Sequence, residues 1–246
     1  MDCRYGAWHS RPMRARAAPG LLHATGPSCI ETKVRPYCRR FFWPRHDVLL
    51  KHLRFMANNT GSKEFFDEKY RADRDPWNFS SSSYELNRYD EIMRVLGNRT
   101  FNHGFEPGCS IGVLTERLAA QCGHLLAMDI SPTAVAVARR RCERYPNVRI
   151  VEGALPYDLP RDTFDLVVFS EIGYYFERDV LAGIGDSLAG RLAKHGVFVG
   201  VHWLGVSQDH LLTGDEVHDV LRSSSSLRIT ASRRCDGFLL ESWERA

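Results

Sequence analysis

One stretch restricts the fold of this chain more than any other. Phe105-Glu106-Pro107-Gly108-Cys109-Ser110-Ile111-Gly112 runs directly into Val113-Leu114-Thr115-Glu116-Arg117-Leu118. This order spells a strand end, a tight glycine turn and the first turns of a helix. Gly108 lets the backbone bend and lets a ligand approach where a side chain would collide with it. The helix opening near Gly112 aims its free N–H groups back at the same point. Such a turn holds a nucleotide-like molecule or a reacting oxygen, and its surroundings decide which.

Downstream of the turn, strands and helices alternate. Residues 124–130 predict a short buried strand ending at Asp129 and Ile130. Ser131-Pro132 then supplies an N-cap with proline at the first helical position, opening a helix to about residue 144. Residues 148–152 predict a third strand, and 164–171 a fourth, nearly all apolar as a strand covered on both faces requires. A helix over 181–193, a turn at His195-Gly196 and a strand over 197–201 follow, and 227–230 with 238–243 predict a terminal hairpin. Alternation of this kind predicts an α/β domain with right-handed crossovers and a ligand at the carboxyl ends of its strands.

Upstream, residues 63–70 predict a short amphipathic helix. A proline-broken aromatic loop follows, Asp73-Arg74-Asp75-Pro76-Trp77-Asn78-Phe79. Residues 84–95 predict a second helix, capped from Ser80–Ser83, with Tyr84, Arg88 and Glu91 close together. These pieces precede the first strand and are expected to lie over the strand ends. Residues 56–100 are thus a helical cover, and 101–246 the α/β domain.

Residues 1–55 differ in character. They hold five of the 11 prolines and eleven basic residues against Asp2, Glu31 and Asp47. The overall charge of +3 therefore conceals +8 in residues 1–55 and −5 in residues 56–246. The leader is expected to be disordered or to precede a natural start at Met56; a transit segment or a nucleic-acid tail is the alternative. The mildly acidic remainder offers a nucleic acid no electrostatic support. No apolar run reaches the length of a signal peptide or membrane span. The 7 cysteines lack metal-like spacing, which predicts free thiols in a reducing cytoplasm and no metal site.

Three chemistries suit the turn. Gly108-Cys109-Ser110-Ile111-Gly112 matches the G-x-S-x-G nucleophile elbow of a serine hydrolase, with Asp165 or Asp186 and then His202 following in chain order. That fold needs earlier strands and an upstream oxyanion loop, where this chain has a Pro-Trp loop and a helix. A dinucleotide site is weaker, because Ser110 stands where the fingerprint has its second glycine. The third is a site for S-adenosylmethionine. An acid before the turn (Glu106) and an acid closing the next strand (Asp129) suit a ligand with an aminoacyl end and a ribose. Asp129 would accept from the ribose hydroxyls; the rival role is an ordinary acid at a helix N-terminus.

From about residue 62 onward the chain resembles class I S-adenosylmethionine-dependent methyltransferases, and the nodulation protein S family in particular. Asp75-Pro76-Trp77, Tyr84-Glu85 and Arg88-Tyr89 resemble that family's N-terminal cover. Residues 105–112 with Asp129 resemble its first motif and second strand, and residues 164–175 its fourth strand with E-x-x-Y-Y (Glu171, Tyr174, Tyr175). The resemblance implies a Rossmann-like fold with a mostly parallel seven-stranded sheet and a C-terminal antiparallel hairpin. It further implies a cytoplasmic N-methyltransferase acting on the free amine of a small molecule or deacetylated chitooligosaccharide. A non-catalytic binding module of the same fold is the remaining alternative.

The candidate cofactor contacts are Trp77, Tyr84 and Arg88 from the cover, and Glu106, Gly108, Cys109 and Gly112 from the turn. Asp129, Ile130, Ala154, Leu155 and Ser170 complete the set. Arg88 is expected to hold the cofactor carboxylate with its planar fork, an ion pair with Glu85 or Glu91 being the rival. Ser110 stands at a common glycine position, which a negative φ accommodates. Ala154 stands where relatives carry an acid for the adenine amine, so backbone at Ala154-Leu155, or Asp158, is expected to serve instead. Glu171, Tyr174 and His202 are the candidate catalytic residues, with Glu171 first to receive the amine's proton and His202 second. The alternative for Glu171 is a bond to neighbouring backbone or to a positive group. Trp77, Tyr174, Tyr175 and Trp203 are candidates to line the pocket. His210 and His218, near acids, are assigned to a helix face rather than a metal.

Overall fold

The computed structural model describes residues 61–246, and the expectations for residues 1–60 lie outside them. Two helices come first, α1 (Lys63–Ala72) and α2 (Ser83–Leu96). Then β1 (Phe101–Pro107), α3 (Val113–Leu118), β2 (Cys122–Asp129), α4 (Pro132–Arg141) and β3 (Val148–Glu152) alternate. They are followed by β4 (Phe164–Ser170), α5 (Arg178–Arg191), β5 (Leu192–Trp203), α6 (Gly214–Arg222), β6 (Leu227–Arg234) and β7 (Phe238–Arg245). The sheet order is β3-β2-β1-β4-β5-β7-β6; β1 to β5 pair in parallel, and β7 runs antiparallel to both β5 and β6.

The apolar character of β4 follows from its place at the centre of the sheet. Successive side chains point to opposite faces. Leu166 and Val168 therefore join one core with Ile92, Leu96, Leu114 and Leu118 of α2 and α3. Val167 and Phe169 join the other with Leu181, Ile184 and Leu188 of α5 and with Val217 of α6. Helix starts follow local chemistry. Ser131 accepts from the Ala134 N–H with Pro132 at the first position, and Thr213 with Glu216 forms a reciprocal capping box on α6.

The expected His195-Gly196 turn is a bulge inside β5. Phe164 pairs Leu192, yet Leu166 pairs Val197, so three extra residues are absorbed on the β5 side, with His195 at φ 63°. The helix face assigned to His210 and His218 divides as well: His218 is on α6, whereas His210 stands in the preceding loop. The four cysteines among the described residues are free thiols. None of the described helices is long and apolar enough to cross a membrane.

Candidate active site

The glycine turn closes over the end of β2. The N–H groups of Gly108 and Cys109 both donate to the Met128 carbonyl, at 2.7 and 3.0 Å. Gly108 has φ 78°, and a methyl group there would lie 2.4 Å from Cγ2 of Ile172, so only glycine lets the segment after β4 pass this close. Gly112, φ 80°, serves packing: a methyl group would meet Ala138 of α4 at 3.0 Å. Ser110 corrects the expected negative φ, since it sits at φ 51° in the left-handed region. Its N–H donates to Asp129 Oδ2 at 2.8 Å, and its hydroxyl accepts from Tyr70 of α1 at 2.5 Å. These two bonds hold a conformation that serine disfavours. Among the described residues the hydroxyl bonds no histidine, Asp165 accepts the Asn102 and His103 N–H groups near the start of β1, and Asp186 accepts the Ser224 hydroxyl, so the described residues form no hydrolase triad.

Asp129 lies beside the turn, its other oxygen accepting the Ser131 N–H at 2.9 Å. Burial pushes its pKa up to about 6 against those N–H bonds. Gly108 and Asp129 share the wall of a cavity of about 830 Å³ at the strand ends. Ile130, Ala154 and Leu155 continue that wall, Trp77 and Tyr84 face it from the cover, and Ser170, Glu171 and Tyr174 bound it at the end of β4. Sequence reasoning missed the parts that close this chamber. Asp67 of α1 accepts from the Ser131 hydroxyl (2.7 Å) and the Thr133 N–H (3.0 Å), and Lys63 pairs Glu152. These bonds join residues far apart in the chain, and no local pattern announces them. At Ala154 the backbone N–H is taken by Asp158 Oδ2 at 2.9 Å, which leaves the Asp158 carboxylate on the chamber wall where an adenine acid is otherwise missing.

A side space of about 30 Å³ opens behind Gly108, lined by Arg88, Glu106 and Cys109. Burial, with the Asp129 charge adding, pushes the Glu106 pKa up to about 8. Its Oε2 has no hydrogen-bond partner among the described residues, and neither has Nε of Arg88. Glu106 lines this side space and not the chamber, and its orphaned carboxyl oxygen beside the glycine turn fits the aminoacyl ammonium of S-adenosylmethionine, a cation that favours the charged carboxylate. Cys109 and Gly112 do not line the chamber; they shape the turn from behind.

Two expectations are corrected here. Arg88, 1% exposed, is not free for a cofactor carboxylate, because its fork holds Glu85 and, at 3.0 Å, Glu171. Burial pushes the Glu85 pKa up to about 7 despite that contact. His202 is fully buried and does not line the chamber. Its Nε2 accepts the Gly173 N–H at 3.1 Å, and its Nδ1 meets His218, whose other nitrogen meets Glu241 at 2.8 Å. Burial and the neighbouring His218 hold its pKa well below the usual value.

Glu171 itself is a junction. It sits at φ 62° and accepts from the Trp203 N–H at 2.7 Å, the Tyr174 hydroxyl at 2.7 Å and Arg88 at 3.0 Å. One carboxylate thus ties β4, β5 and α2 together. The bonds to backbone and to a cation weighed as its alternative role are present. The described residues contain no His, Cys, Asp and Glu group able to hold a metal.

The parallel sheet, the glycine turn and the acid closing β2 define a class I S-adenosylmethionine-dependent methyltransferase. The chain belongs to the family described as Nodulation protein S (NodS), whose model matches residues 58–240. Nodulation protein S of Azorhizobium caulinodans is 33% identical over 171 residues, which cover 68% of this chain and 81% of that protein. A putative methyltransferase of known structure from Pseudomonas syringae is 32% identical, with a TM-score of 0.60 over 67% of this chain and 100% of that one. The N-methyltransferase NodS of Bradyrhizobium japonicum, solved with S-adenosylhomocysteine, is 23% identical, with a TM-score of 0.68 over 75% of this chain and 98% of that one. At that identity it speaks for the fold.

Proposed function

We propose that the protein methylates the free amine of a small molecule or deacetylated aminosugar in the cytoplasm. The observation that carries this reading is the charge of the chamber. Glu85, Asp129, Glu152, Asp158, Glu171 and Asp209 line it, and although Arg88, Lys63 and Lys69 pair with four of these carboxyls, the acids remain in excess. Walls of that sign attract an ammonium and repel a carboxylate or phosphate. The aromatic faces of Trp77, Tyr175 and Trp203 suit a cation or a sugar ring. The related NodS of Bradyrhizobium japonicum is an N-methyltransferase, which supports the same choice.

S-adenosylmethionine, when bound, supplies an electrophilic methyl group on a sulfonium. Within the chain, Asp129 would accept from the ribose hydroxyls, and the orphaned oxygen of Glu106 from the aminoacyl ammonium. Ile130 and Leu155 offer apolar faces to the base, with Asp158 beside them for its amine. Trp77 and Tyr84 in the cover would exclude water, which aligns the partners and strips the nucleophile. Glu171 fixes Tyr174 and the end of β5, and so the shape of the acceptor side. Nucleic acid is not expected as a partner.

Calorimetry of the full chain with S-adenosylhomocysteine is the first test, followed by mass spectrometry of glucosamine incubated with protein and S-adenosylmethionine. Binding and a product methylated on nitrogen are expected. No binding at millimolar ligand refutes the methyltransferase site, and methylation on oxygen alone refutes the amine.

A further inference from the structure

We propose that His210 is the catalytic residue that takes the proton from the acceptor amine, a role that rests on the amine-methylating reading above. His210 stands in the loop between β5 and α6, half-buried on the chamber wall. Its imidazole lies flat on Tyr174, with ring centroids 3.6 Å apart and planes at 15°, and meets Tyr175 edge-on at 5.1 Å. Stacking fixes the ring plane and leaves the nitrogen-bearing edge as its reactive part. Neither ring nitrogen has a hydrogen-bond partner among the described residues.

The other acceptors on this side are engaged. Glu171 receives three donors, His202 is sealed beneath the wall, and Asp209 pairs with Lys69 of α1 at 3.4 Å. The titratable groups around His210 are Asp209 on its own loop, Lys69 on α1, Tyr174 and Tyr175 on the turn after β4, Glu171 behind Tyr174, and His202 on β5. Burial lowers the His210 pKa below its ordinary 6.5, with Asp209 opposing, so the lone pair is available at neutral pH. In the proposed step one N–H bond of the acceptor ammonium breaks. Its electron pair stays on nitrogen as the attacking lone pair, and the proton bonds to the imidazole. The half-exposed imidazolium then returns that proton to water, and no further reactant is needed.

Three measurements test this: calorimetry of His210→Gln with S-adenosylhomocysteine, pH profiles of glucosamine methylation, and the His210 proton resonance of wild-type protein loaded with S-adenosylhomocysteine as glucosamine is added. The variant should keep its cofactor affinity, lose about 100-fold or more in kcat at saturating S-adenosylmethionine, and show its acidic limb moved up in pH to the ionisation of the amine itself. The wild-type resonance should move, a readout that needs neither turnover nor the variant's folding. A variant that keeps its kcat or shows an unshifted acidic limb at saturating S-adenosylmethionine, loss of cofactor affinity in the variant, or an unmoved resonance overturns the assignment to His210 alone. Wild-type protein that binds S-adenosylhomocysteine but methylates no amine overturns the amine reading, and this role with it.

Discussion

Replacing Asp129 by asparagine should separate cofactor affinity from stability. The carboxylate is 7% exposed and takes one N–H on each oxygen, from Ser110 at 2.8 Å and Ser131 at 2.9 Å. Asparagine keeps the shape but turns one of those oxygens into a donor. Half the capacity to accept from a ribose goes with it, a loss of about 1–3 kcal/mol, or roughly 5- to 150-fold in Kd for S-adenosylhomocysteine. Stability should move much less. The folded pKa of about 6 lies above the ordinary 3.8, so charging this buried group costs stability as pH rises through that window. Two units correspond to roughly 3 kcal/mol, which the amide removes while it forfeits one N–H bond at about 1–3 kcal/mol. The two nearly offset. Calorimetry and thermal melting at about pH 5 and about pH 7.5 read both quantities. Wild-type affinity should fall as pH drops through about 6, because a protonated Asp129 loses acceptor capacity, whereas the variant should lack this dependence. A variant that binds within about twofold of wild type at the higher pH refutes the role given to Asp129.

The remaining expectations concern the supports. Arg88→Met should destabilise the fold by about 3–5 kcal/mol in urea melts, because it strands Glu85 and Glu171 without their cation; a loss below about 1 kcal/mol contradicts the junction. Gly108→Ala should abolish cofactor binding and lower Tm, with Ile172→Ala restoring part of the Tm by removing the clash at 2.4 Å; an unchanged Tm in the single variant argues against that contact. His218→Leu should cost about 2–4 kcal/mol by leaving Nδ1 of His202 unpaired in the core, with cofactor affinity little changed. A large loss of affinity there would mean that the buried histidines reach the chamber after all.

Local sequence chemistry determined the α/β alternation, the turn at Gly108, the acid at Asp129 and the antiparallel finish, because each follows from short-range rules. A strand covered on both faces must be apolar throughout, a tight turn needs glycine, and a serine before proline starts a helix. Family resemblance added the chemistry of the cofactor. What the tertiary structure alone decided is which polar side chains face the cavity and which face each other. Arg88 and His202 read as site residues by type and position, yet burial turned both inward, where each had to find a protein partner. His210 read as a helical surface residue until the β5–α6 loop laid it on Tyr174. Ser110 holds a left-handed backbone that only Tyr70 and Asp129, 40 and 19 residues away, make tolerable. An unpaired polar group in a core costs more than any local preference supplies. The roles of such groups are therefore settled by neighbours that the chain brings together only when it folds.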